Sequence, residues 1–351
     1  MPQSAMKKNN PFTLTFGRKP SEYIERYENT DTIISTFTAD NPISQAYLIE
    51  GIRGSGKTVL MTSIESKLAA SQEWIVVDLN STQDLMTDLA VRLSDSCKKI
   101  PDLRHESFSV SAAGFGFSLD RSSSFHDSVS VIQEILSSLQ KKGKKVLITI
   151  DEVQHDRNMR HFASEYQILL RKDYPVFLLM TGLYENIYAI QNDPALTFLL
   201  RAPKIRLTPL SMHQITKQYQ DIFNLDFEEA RGMAYLTKGY AFAFQALGML
   251  YYEYREKLPL EQILLKLDDI LDDFVYQKIW EGLSGQERRI VRAMGDTPVK
   301  VQELCISAAM TSATFSKYRE RLLRRGLIVA PQHGYVALAL PRFSSVARAY
   351  Q

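Results

Sequence analysis

Five short runs of nearly unbroken apolar residues set the strongest limit on how this chain folds. They read QAYLIEG at 45–51, WIVVDL at 74–79, KVLITID at 145–151, VFLLMTG at 176–182 and KIRLTPL at 204–210. A half-exposed strand alternates apolar with polar residues, so runs apolar at both parities belong to strands covered on both faces. The stretches between them, such as KTVLMTSIESKLAA and SVSVIQEILSSLQKK, carry apolar residues at helical spacing. Strand and helix in alternation give a parallel sheet with helices on its faces, an α/β class.

The first run leads straight into Gly51-Ile52-Arg53-Gly54-Ser55-Gly56-Lys57-Thr58, which fits G-x-x-x-x-G-K-[ST]. Glycines let the backbone turn tightly enough for successive N–H groups to converge on a phosphate. The helix beginning at Lys57 adds the positive end of its dipole. In this pattern Lys57 reaches the β- and γ-phosphates of a nucleotide, and Thr58 offers its hydroxyl to magnesium. The context is the required one, an apolar strand before and an amphipathic helix after. ATP with Mg2+ is therefore the expected cofactor, held by residues 51–58.

The third run, VLITIDE, ends on Asp151 and Glu152. A carboxylate pair at a strand's end fits a Walker B element, in which Asp151 holds the metal and Glu152 polarises the attacking water.

With these motifs in place the chain resembles the AAA+ ATPases, in particular archaeal origin-recognition initiators and archaeal-type STAND ATPases. The residues carrying the resemblance are GIRGSGKT, VLITIDE, LLMTG, RAPKIRLTPLS and LTKGYAFAFQALG, followed by a C-terminal winged helix. It is also similar to a widespread type of bacterial ATP-binding protein. The resemblance implies a P-loop NTPase core with sheet order 5-1-4-3-2, an α-helical lid and a winged helix. It places Thr181 beside Walker B as a sensor-1 residue and makes Arg201 an arginine finger that completes a neighbouring subunit's site. It also makes the segment FGRKPSEYIER a cover for adenine, with Pro20 or Ile24 as contacts, the alternative being a simple docked N-terminal helix. One departure is plain: the lid sequence KGYAFAFQ has no sensor-2 arginine, and Tyr240 stands where STAND proteins carry proline. Slow turnover is the corresponding expectation.

The expected domains are an N-terminal arm at 1–44, the ATPase core at 45–210, a helical lid at 211–282 and a winged-helix domain at 283–351. SFSVSAAGFGFSLD, at 107–120, alternates about a glycine turn and reads as a β-hairpin inserted in the core.

Residues 283–351 hold eleven Lys or Arg against four Asp or Glu, a net of +7, which leaves −5 on the remainder of a chain whose total is +2. Segregated basic charge suits phosphate backbones. In TSATFSKYRERLLRRGLI, Phe315, Tyr318, Leu322 and Leu323 share one helical face and Lys317, Arg321 and Arg324 the other, with Thr311 or Ser312 as N-cap and Gly326 as terminator. A helix-turn-helix reads DNA with the N-terminal part of its second helix. Ser312, Thr314, Ser316 and Lys317 are then expected on duplex DNA, with Arg321 and Arg324 toward phosphates. His333, in the PQHG turn, is expected on the backbone as part of a wing.

The leading functional expectation is thus an ATP-binding, slowly hydrolysing, oligomeric AAA+ ATPase that engages DNA. The alternative is a STAND-like switch whose winged helix docks a protein partner. A metabolic kinase ranks below both, because no acceptor-binding segment is evident beside the helical and C-terminal parts. Cys97 and Cys305 lack metal-ligand spacing and read as buried free thiols of a reducing compartment. No segment approaches the roughly 20 apolar residues of a membrane span, so a cytoplasmic protein with no membrane partner is expected.

Overall fold

The computed structural model describes residues 10–15, 20–98 and 124–350, the backbone alone at 124–127. The hairpin expected at 107–120 lies outside the described residues. Contacts divide the chain into two compact units, a sheet unit of Tyr27–Glu50 with Lys57–Arg206, and a helical unit of residues up to Arg26, Gly51–Gly56 and Leu207 onward.

The sheet unit runs α1 (Tyr27–Thr38), β1 (Ala46–Glu50), α2 (Lys57–Ala69), β2 (Trp74–Leu79), α3 (Leu85–Lys98), α4 (Ser124–Lys141), β3 (Lys145–Ile150), α5 (Arg157–Arg171), β4 (Val176–Gly182) and α6 (Tyr184–Gln191). A 3-10 helix, Pro194–Arg201, then leads to β5 (Lys204–Arg206). All five apolar runs are strands, parallel throughout and ordered β2-β3-β4-β1-β5, which is the expected order read from the opposite edge. Both faces of β1, β3 and β4 are buried, as the composition of those runs requires, whereas β5 alternates exposed, buried, exposed. On one face Leu48, Val77, Ile148 and Leu178 join a core with Leu93, Ile135 and Tyr166 from α3, α4 and α5. On the other, Phe37 of α1 packs against Tyr47, Trp74 and Phe177 with ring centroids 5.1–6.5 Å apart. Burial of aliphatic and aromatic side chains at about 1.5–3 kcal/mol each is the main term holding this layer structure.

The helical unit continues with α7 (Met212–Phe223), α8 (Phe227–Leu236), α9 (Ala241–Tyr254) and α10 (Leu260–Leu271), which passes through one π turn into α11 (Gln277–Glu281). There follow α12 (Gly285–Ala293), β6 (Val299–Lys300), α13 (Val301–Ser307), α14 (Ser312–Arg324), β7 (Ile328–Val329), β8 (Tyr335–Leu338) and α15 (Phe343–Ala349). The last three strands form an antiparallel sheet in the order β6-β8-β7. Strand β6 and helix α15 were not evident in the sequence; two residues and seven are too short for periodicity to register. Helix starts follow local chemistry: Ser211, Asp226, Ser284 and Thr311 each cap a helix through their side-chain oxygen.

Two boundaries fall elsewhere than expected. The N-terminal arm divides, since its described residues 10–15 and 20–26 group with the helical unit and α1 groups with the sheet unit. The segments 211–282 and 283–351 share one continuous core, from Leu210 and Phe244 to Phe315 and Phe343. They are joined further by the Arg342–Asp268 ion pair, the Tyr276 hydroxyl donating to the Pro341 carbonyl, and Lys238 Nζ donating to the Leu338 carbonyl at 3.2 Å. Both cysteines are buried and neither forms a disulfide, as expected.

Candidate nucleotide site

In the sheet unit an acidic cluster lies at the C-terminal ends of the strands. Asp151 follows β3 immediately, and β4, paired between β3 and β1, supplies Thr181. The Thr58 hydroxyl donates to Asp151 Oδ2 at 2.6 Å, and the Thr181 hydroxyl donates to Asp151 Oδ1. The Glu152 N–H reaches Asp151 Oδ1 at 3.0 Å and Thr181 Oγ1 at 3.3 Å. Thr181 is fully buried and Glu152 is exposed. The backbone of Glu152 sits at φ 52°. A left-handed non-glycine residue costs of order 1–3 kcal/mol and persists only where its surroundings hold it. Here the two bonds to its N–H do so, and they leave the carboxylate projecting outward.

Lys57, the first residue of α2, is buried, as is Thr149 of β3. Glu65 of α2 adds negative charge nearby: burial raises its pKa, the Thr149 hydroxyl lowers it, and the charges of Asp78 and Asp151 raise it further. Carboxylates that disfavour one another's ionisation favour a cation among them. The hard oxygens of Thr58 and Asp151 suit Mg2+, which is bound through one or two protein side chains plus phosphate oxygens rather than by a full protein cage. No group of three or more His, Cys, Asp or Glu side chains among the described residues is arranged to hold a metal alone.

The phosphate loop, Gly51–Gly56, belongs to the helical unit. Gly54 and Gly56 have φ of 74° and 91°, conformations that only glycine takes up freely. The Tyr240 hydroxyl donates to the Arg53 carbonyl at 2.6 Å, the Phe242 N–H to the Gly54 carbonyl at 3.1 Å, and Arg26 Nη2 to the Ser55 carbonyl at 3.3 Å. Burial lowers the Arg26 pKa to about 10, so it remains a cation at neutral pH. Pro20 is buried, and Ile24 and Ile52 both pack against the helical core. Nothing in the sequence pointed to Arg26, which lies 29 positions from its partner.

Arg201 ends the 3-10 helix three residues before β5 begins and is exposed. Sequence reasoning missed the anchor behind it. Asp193 caps that helix through Ala195 N at 2.9 Å, accepts from Arg160 Nε at 2.6 Å, and pairs with His155 Nε2 at 2.7 Å. These bonds, that of His155 first, lower the Asp193 pKa to about 2. The loop after Glu152 is thereby tied to the element that ends in Arg201. The Asp193-Pro194 pair was the available signal, an N-cap residue before proline at the first helical position.

Of the residues expected on DNA, Ser312, Thr314, Ser316, Lys317 and His333 are exposed. Ser316 and His333 line one open groove with Arg319 and Gln332. Phe315 and Leu322 are buried, and Thr311 and Gly326 (φ 74°) bound the helix as expected. The two arginines expected toward phosphates are engaged within the protein. Arg321 Nε lies 3.2 Å from the fully buried Glu287, and Arg324 pairs with Glu320. Glu287 also closes the capping box of α12, accepting from Ser284 N at 2.8 Å, and lies 3.6 Å from Arg325.

Residues 44–189 match a family model described as an AAA domain, and residues 273–345 match one described as a domain of unknown function. No curated protein matches the chain. Among solved structures it is similar to a Walker-type ATPase of Pyrococcus abyssi, at 13% identity over 93% of this chain and 96% of that one, with a TM-score of 0.61. It is similar to the ORC2 protein of Aeropyrum pernix, solved as ADPNP–ADP complexes, at 14% identity over 97% of each chain and the same TM-score. Cdc6p from Pyrobaculum aerophilum matches at 13% identity over 95% of each chain, with a TM-score of 0.51. No helix among the described residues is long and apolar enough to cross a membrane. Residues 44–189 therefore match an AAA domain, and the chain shares the fold of archaeal Walker-type ATPases and ORC/Cdc6 proteins.

Proposed function

We propose that the chain binds ATP with Mg2+ at residues 51–58 and hydrolyses it slowly. The observation that carries this reading is Asp151, which gathers Thr58, Thr181 and the Glu152 N–H around one carboxylate. Lys57 and the loop amides hold the phosphates, Thr58 and Asp151 hold Mg2+, and Pro20 and Ile24 face the base. Magnesium, when bound, neutralises charge on the phosphates. Glu152 accepts a proton from the attacking water, Thr181 orients Asp151 and the main chain of Glu152, and Arg201 serves the site of a second copy in a homo-oligomer. Nucleotide complexes of the ORC2 protein of Aeropyrum pernix support this reading by fold. The experiment is calorimetry with Mg-ATP on the wild type and on Lys57→Ala. Binding that is lost with the lysine agrees with the proposal, and no binding by the wild type rejects it.

The C-terminal segment engages duplex DNA as a winged helix on this proposal. The helix-strand-helix-helix-strand-strand order of 285–338 and the groove shared by Ser316 and His333 support it. A second reading, a nucleotide-controlled switch that docks a protein partner, is favoured by the internal pairing of Arg321 and Arg324.

A further inference from the structure

Every carbonyl from residue 52 to residue 55 is occupied. The Ile52 carbonyl accepts from Ser55 N at 3.2 Å, and the next three accept from Tyr240, Phe242 and Arg26. The N–H and C=O of one peptide point in opposite directions. Holding the carbonyls of Arg53 and Ser55 therefore holds the N–H groups of Gly54 and Gly56 on the other edge of the loop. Neither N–H donates to a protein group among the described residues.

Tyr240 contributes twice. It is the N-cap residue of α9, yet its side chain makes no bond to its own helix and goes instead to Arg53. Phe242, in the first turn of α9, is one of the helix's intrinsically unpaired N–H groups, and the Gly54 carbonyl pairs it. The phosphate loop thus caps the helix while the helix-start tyrosine holds the loop. A side chain at residue 54 would overlap the Tyr240 hydroxyl, so the glycine is needed there for contact as well as for its positive φ. Burial raises the pKa of the Tyr240 phenol, which stays protonated and neutral. A neutral donor on the carbonyl edge adds no charge toward a phosphate.

We infer that Tyr240 is a positioning residue for nucleotide binding: it sets the loop's peptides in the anion-binding orientation before any nucleotide arrives, and it does so equally for the diphosphate and the triphosphate. This rests on the nucleotide reading above. It assigns this end of α9 a task unlike that of a charged lid residue, which would distinguish the two nucleotides by their phosphates.

The test is Tyr240→Phe in the full chain, which keeps the ring against Gly54 and removes only the donor. Binding of Mg-ATP and Mg-ADP is measured well below the melting temperature of both proteins, with amide exchange of 51–56 followed without nucleotide. The Arg53 carbonyl is part-buried, and loss of its donor is expected to weaken binding by about tenfold. That loss is expected to be the same factor for both nucleotides and to fall on Kd and KM more than on kcat, with faster exchange at Gly54 and Gly56. Unchanged affinity for both nucleotides overturns the inference, as does a loss confined to ATP. Failure of the wild type to bind either one rejects the nucleotide reading itself, a separate outcome.

Discussion

Replacing Thr181 with valine tests the acidic cluster with almost no change of shape. Thr181 is fully buried, donates to Asp151 and lies 3.3 Å from the Glu152 N–H. Valine keeps the volume and removes the hydroxyl. Asp151 retains Thr58 at 2.6 Å and the Glu152 N–H at 3.0 Å, so one bond to a charged acceptor is lost outright. Such a bond contributes about 1.5–3 kcal/mol, and a domain of this size loses roughly 2–4 °C in Tm per kcal/mol. A downward shift of about 3–12 °C is expected for the sheet unit. Trp74 reports it, because the chain's two tryptophans, Trp74 and Trp280, fall one in each unit. Turnover should fall about tenfold or more, since 1.4 kcal/mol is a factor of ten. Affinity for Mg-ATP should change little, because Thr58 and Asp151 remain. Thr181→Ser, which restores the hydroxyl, should recover most of both losses. Wild-type melting and turnover in Thr181→Val would refute the assignment, and so would a loss of affinity as large as the loss of rate.

Three further outcomes follow from the same geometry. Glu152→Gln should keep Mg-ATP affinity and lower turnover by about 100- to 10,000-fold, the usual range for a general base; retained single-turnover hydrolysis would count against that role. Lys317→Glu should weaken DNA binding and flatten its dependence on log salt by about one or more, whereas a protein-docking module would show no such slope in filter or anisotropy titrations. Glu287→Gln should destabilise the helical unit by about 2–3 kcal/mol, read from Trp280 in a urea titration. That lies below the 3–5 kcal/mol for breaking a fully buried pair, because Gln can still accept from Ser284 and Arg321 is half exposed.

Most of the sheet was visible in the sequence because both parities of β1, β3 and β4 are buried and β2 nearly so, which leaves little but apolar residues to choose from. The last run shows the limit of that signal. KIRLTPL is apolar enough for seven residues, yet the ladder stops at Arg206. Pro209 has no N–H for a ladder bond, and Leu210 N turns away to the Gly239 carbonyl at 2.8 Å. The phosphate loop, Asp151, Glu152 and Thr181 were readable because each stands beside a strand whose position was already fixed. Tyr240, Arg26 and Asp193 were not, because their meaning lies in partners 187, 29 and 38 positions away.

The C-terminal charge shows why composition alone misleads about a surface. A net of +7 over 283–351 suggests a basic face, but many of those side chains bond the protein's own main chain or acids. Arg288 reaches the carbonyls of Trp280 and Glu281, Arg289 those of Ala308 and Ala309, and Arg292 that of Tyr350. Arg321 and Arg325 converge on Glu287, and Arg342 pairs with Asp268. Arginine suits this work because one planar group can serve two acceptors at once. Bonds to carbonyls leave the cation's charge in place but fix where it sits, whereas pairing with a carboxylate cancels its field at a distance. A phosphate backbone approaching α14 would therefore meet Lys317 first. Any contribution from Arg321 has to compete with Glu287, so Glu287→Gln, which removes that competitor, should strengthen DNA binding at low salt even as it weakens the fold. A variant less stable and no tighter on DNA would place Arg321 among the structural arginines and turn the weight of argument toward protein docking.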